Sequence, residues 1–217
     1  MPVATKTKTK KVKKIKEPPV LKLSDEEYRQ MRAEVLDKII VARVGLLLRH
    51  PFFGNMATRL QIKECDDWCP TAATDGRHLY YNTEFFHKLS TKEIEFVIGH
   101  EILHCVFNHL QRNENRNRML YNIAADYLVN NTLCRDNIGE KPKGIQIFQD
   151  YKYDGWSSEE VYDDLFKNAK KIDISKLGKL LDEHIDWEKG PNGSSGGKDK
   201  NGKNKQPIIS KKEMEKI

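Results

Sequence analysis

The stretch VIGHEILHCVFNH, residues 97–109, constrains this chain more than any other. It sets His100 and His104 four positions apart, which on a helix is one turn along the same face. Two imidazoles so placed can point at a single ion. Glu101 follows about 100° round the helix, close enough to reach a water held by that ion. A helix is expected here on separate grounds. Ser90-Thr-Lys-Glu93 forms a capping box, and Ile94, Val97, Ile98, Ile102 and Cys105 recur along the segment behind it. Two ligands, a base and an open position make the arrangement of metal-assisted hydrolysis. A chance match on a histidine-bearing helix and a metal held only for structure are the competing readings.

A catalytic zinc ordinarily takes three protein ligands, so one more is required. His109 lies five residues after His104 and on a continuous helix is turned about 140° away. It is therefore expected at the helix end, orienting a neighbour or a substrate. His50, His78, His87 and His184 fall in separate segments and read as surface or core histidines. The better third ligand is Asp126, within Ile123-Ala-Ala-Asp-Tyr-Leu-Val. A carboxylate among apolar neighbours is costly unless it is paired or on a metal. The small Ala124 and Ala125 let that helix come close, and the loop QRNENRNRML is long enough to reverse the chain. Pairing of Asp126 with Arg112, Arg116 or Arg118 is the other reading. Asn122 and Asn130, one turn to either side, are placed to hydrogen-bond the ligand shell.

Two further capping boxes, Ser24 to Glu27 and Ser157 to Glu160, predict helix starts near residues 25 and 158. The first helix runs towards Leu48 and stops before Pro51, with Met31, Val35 and Ile39 on its apolar face. TAATDGRHLYYN (71–82) reads as a two-residue hairpin turn at Asp75-Gly76 between strands, and hence as a small antiparallel sheet. A further helix is predicted across 119–134.

Composition bounds the rest. Hydrophobic residues make up 38% and charged residues 32%, which suits a soluble protein with a modest core. The longest apolar run, IIVARVGLLL, is too short for a membrane helix and is interrupted by Arg43. Seven lysines and no acid in the first sixteen residues account for the net charge of +6. Residues 1–20 are expected to be a disordered basic arm, with a weak indication of nucleic-acid contact. Residues 189–217 read as a flexible linker or tail rich in glycine, lysine and asparagine. No secretory signal precedes the core, so the four cysteines are expected as reduced thiols in a cytoplasmic protein. A metal pair at Cys65 and Cys69 lacks matching ligands downstream.

HEILH, then His109 and Arg112, then YNIAADYLVN (121–130) resemble the putative metallopeptidase domain family of bacteria and phages. HPFFG (50–54), TAATDGRHLYYN and LSTKEIEFVIGH extend the resemblance over roughly residues 35–190. Members commonly precede a von Willebrand factor A-like domain. The resemblance implies an α+β, zincin-like fold, mainly helical with a small antiparallel sheet, and the domain is expected to span residues 21–188. It implies His100 and His104 as ligands of one zinc ion and Glu101 as base, and it places Asp126 at the acidic position of the second motif. Tyr121 stands where the family typically has tryptophan, and no complete von Willebrand domain follows. The expected function is a zinc-dependent peptidase acting on a peptide or protein substrate. Tyr81, His109 and Tyr121 are candidates to stabilise the oxyanion. A catalytically silent, metal-stabilised scaffold with a von Willebrand-type or ATPase partner is the second reading, and a nucleic-acid-associated protein using the lysine arm is the third.

Overall fold

The computed structural model describes residues 24–113, 116–145 and 147–168. The expected basic arm and the C-terminal linker lie outside the described residues. Helix α1 spans Asp25–Arg49 and α2 spans Pro51–Arg59. Three short strands follow: β1 (Gln61–Glu64), β2 (Ala72–Thr74) and β3 (His78–Tyr81). Helices α3 (Thr83–Lys88), α4 (Thr91–Val106), α5 (His109–Arg112) and α6 (Arg118–Arg135) come next. A single 3-10 turn at Tyr151–Tyr153 leads to α7 (Ser158–Asn168). The protein is mainly helical with a small sheet, an α+β arrangement. No described helix is long and apolar enough to cross a membrane.

Helix α4 is the centre of the structure, and every residue from Glu93 to His104 is buried. It packs against α1, α2, β2 and α6. Its aliphatic positions Ile94, Val97, Ile98 and Ile102 are at most 1% exposed, each worth about 1.5–3 kcal/mol of apolar burial. Packing on all sides therefore holds this helix where it is. Gly139, at φ +65°, lets the chain after α6 cross the α4 backbone, since a Cβ there would stand 2.4 Å from the Phe96 nitrogen. Close approach also joins the first two helices, because a Cβ at Gly54 would lie 2.2 Å from the Leu47 Cα.

The start of α4 is fixed by its cap. The Glu93 N–H donates to Ser90 Oγ at 3.2 Å, and the Ser90 N–H donates back to Glu93 Oε2 at 2.7 Å. Burial pushes the Glu93 carboxyl up, but hydrogen bonds from the Ser90 and Lys143 backbones and the Ser90 hydroxyl outweigh it and leave it low. A depressed carboxyl adds stability above its ordinary pKa, and that stability is lost as the pH falls through the folded value. Ser90→Ala is expected to cost about 1 kcal/mol near neutral pH. The deficit should shrink in acid as Glu93 protonates in both proteins. Denaturant unfolding at about pH 7 and about pH 3 measures both effects.

The sheet corrects one expectation. It is mixed, with order β1-β3-β2: β2 pairs antiparallel with β3, and β1 pairs parallel with it. Residues 65–71 carry the chain past the end of β3, so β3 returns between the two earlier strands. The turn is also one residue longer than expected, running over Asp75, Gly76 and Arg77. Asp75 Oδ1 accepts from the Arg77 and His78 N–H groups at 2.8 and 2.6 Å and closes it. Strand β2 occupies a sheet edge beside α4, and Thr74 Oγ1 lies 3.5 Å from Cys105 Sγ.

Candidate metal centre

His100 and His104 project from one face of α4 towards Asp126 on α6. The two Nε2 atoms are 3.0 Å apart. Asp126 Oδ1 lies 3.6 Å from His100 Nε2 and 3.3 Å from His104 Nε2. His100 and His104 are fully buried and Asp126 is 2% exposed. Among the described residues these three form the one cluster of ligand-type side chains able to share an ion. Ligands bonded tetrahedrally at about 2.1 Å would stand roughly 3.4 Å from one another. The observed separations bracket that figure, so the residues fit a metal ion.

Neighbouring hydrogen bonds set which ring nitrogen faces the cluster. Asn130 Nδ2 donates to the Phe148 carbonyl at 3.0 Å, which turns its Oδ1 towards His100 Nδ1, also at 3.0 Å. That oxygen only accepts, so His100 Nδ1 is the donor to it, and Nε2 is the nitrogen that faces the cluster. Metal-binding histidines are commonly oriented in this way. His104 Nδ1 lies 3.1 Å from His109 Nδ1, whose Nε2 is 2.7 Å from Ser158 Oγ.

The position of His109 overturns the expectation of a continuous helix. Helix α4 ends at Val106, and Asn108 adopts the left-handed conformation at φ 55°. Asparagine is one of the few residues that enters this region readily. The reversal brings His109 back onto His104, with ring centroids 5.1 Å apart. His109 thus touches the far side of a candidate ligand. It does not join the three converging atoms.

The other candidates separate. Glu101 is fully buried, and its charge is among the smaller influences on Cys65. The Cys65 thiol is pushed well up, first by its hydrogen bond with Cys69, then by burial. The four cysteines are free thiols, and Cys65 and Cys69 belong to a small apolar cluster with Ala73 and Tyr80. Tyr81 packs edge-on against Phe86, and burial pushes its hydroxyl up to about 12. Tyr121 donates to Glu159 Oε1 at 3.2 Å, and burial likewise takes it to about 12. Asn122 is half-buried on α6. Arg112 pairs with Glu159 at 2.5 Å, and Arg116 lies over the rings of Tyr121 and Tyr162. Ser158 and Glu159, which complete these contacts, were hidden in the sequence because Ser157-Ser-Glu-Glu reads only as a helix cap.

Together these features define a mainly helical α+β protein with a buried candidate metal site of two histidines and one carboxylate. The chain belongs to the family described as putative metallopeptidase domain, which it matches over residues 37–216. No curated protein and no solved structure matches it.

Proposed function

We propose that the protein is a zinc-dependent peptidase of zincin-like fold, with His100, His104 and Asp126 as the metal ligands. The observation that carries this is the convergence of two imidazole nitrogens and one carboxylate oxygen, with Glu101 next to His100 on the same helix. That donor set favours zinc. Zinc in such a site supplies Lewis acidity, bringing the pKa of water towards ~7 and polarising a carbonyl. Glu101 takes the proton from the attacking water and passes it to the leaving amine. Asn130 holds the His100 ring in the binding tautomer.

Burial favours a second reading. His100, Glu101 and His104 are all fully enclosed, which suits a metal that ties α4 to α6 in a scaffold. Incubating the zinc-loaded chain with a peptide mixture and an unfolded protein separates the two. Cleavage that a chelator stops and zinc restores is the expected result. Intact substrates, alongside zinc-dependent thermal stabilisation, would replace the peptidase by the scaffold.

A further inference from the structure

We infer that α7 is an outer support of the metal centre: Ser158 holds His109, and His109 fixes His104, so α7 docking and metal affinity are linked. This rests on the reading of His100, His104 and Asp126 as a metal site. The two candidate histidine ligands are braced from different places. His100 leans on Asn130 of α6, which is fixed in turn by the Phe148 carbonyl. His104 leans on His109, and His109 on the first residue of α7.

The proton positions along this second branch follow from its geometry. For Nε2 of His104 to offer its lone pair beside Asp126, its Nδ1 must carry the proton and donate to His109 Nδ1. A neutral His109 then keeps its own proton on Nε2 and donates it to Ser158 Oγ, at 2.7 Å. His104 and Ser158 are fully buried and His109 is 4% exposed, so water does not compete along the branch.

The two adjacent serines divide the work. Ser157 caps α7, with its Oγ accepting from the Glu160 N–H at 3.3 Å and its own N–H donating to Glu160 Oε2 at 2.7 Å. The Ser158 hydroxyl is thereby released from capping and turned inward to His109. Further contacts hold this end of α7 against the site. Glu159 accepts from Arg112 Nε at 3.0 Å and from the Tyr121 hydroxyl at 3.2 Å, and Tyr162 Oη accepts from the Asn117 N–H at 3.0 Å. His109 also meets the Tyr121 ring edge-on. By linkage, whatever loosens α7 weakens metal binding, and metal binding tightens α7 by the same factor.

The test uses the full chain, with zinc affinity measured by competition against a chromophoric chelator and exchange of the α7 amides measured with and without zinc. Ser158→Ala and His109→Leu are expected to lower affinity about 10–100-fold while keeping one ion per chain. His109→Asn sets an amide oxygen where Nδ1 stood, and should recover part of what His109→Leu loses. Zinc should slow exchange over residues 158–168 in the unaltered protein and much less in Ser158→Ala. Unchanged affinity in Ser158→Ala and His109→Leu, with α7 exchange indifferent to zinc, would overturn the inference. If His104→Ala still abolished uptake in that case, the metal site itself would stand. An unaltered chain that takes up no zinc would overturn both.

Discussion

Asp126→Ala is expected to remove the zinc-induced rise in melting temperature and to weaken zinc binding by more than any outer residue does. Changes around a metal's ligands cost about 10–100-fold in affinity. Removal of one of the three proposed ligands should exceed that. At a zinc concentration of about 100 times the dissociation constant, binding stabilises the folded chain by ~2.7 kcal/mol. For a chain of this size that is roughly 5–11 °C in Tm. The metal-free comparison is needed because Asp126 is buried beside two imidazoles and its absence has an effect of its own. The decisive quantity is therefore the difference between zinc-loaded and zinc-free melts, present in the unaltered chain and lost in Asp126→Ala. An equal rise in both proteins would remove Asp126 from the ligand set.

Glu101→Gln separates chemistry from binding. The amide keeps the size of the side chain in a fully enclosed position, so α4 and the histidines should hold their places. It cannot take a proton from water. Loss of a positioned acid–base group typically costs 10²–10⁴-fold in rate, and kcat for peptide cleavage should fall by about that much. Zinc content and zinc affinity should be unchanged, because in the proposed site Glu101 stands beside the ligands and is not one of them. Full activity in Glu101→Gln would place the base elsewhere. A loss of zinc in step with activity would make Glu101 a ligand.

The two candidate ligands on α4 and the candidate base beside them were legible because their information is local. Spacing along one helix sets which side chains share a face, and the Ser90 capping box announced that helix from the sequence alone. Asp126 was legible for another reason: an acid between Ala125 and apolar residues stands out against its surroundings. The same logic found α1, α6 and the start of α7. Strand β1 escaped because QIKE has only one aliphatic side chain and pairs with a strand that follows it by way of another. Helix α2 escaped because a proline after an apolar helix reads as a stop, although proline also suits a first helical turn. The return of His109 depends on a single left-handed residue, Asn108, whose side chain carries no strong signal of it. Ser158 is the extreme case. Nothing in a serine beside a capping serine points to a histidine 49 positions earlier.

X-ray absorption at the zinc edge, on the full chain loaded with one equivalent of zinc, tests the central claim most directly. The predicted spectrum has a first shell of nitrogen and oxygen at about 2.0–2.1 Å with outer scattering from two imidazole rings. His104→Ala should halve the imidazole component. A sulfur shell at about 2.3 Å, as Cys65 and Cys69 would give, or a solvent-only oxygen shell with no imidazole scattering, would contradict a centre built from His100, His104 and Asp126.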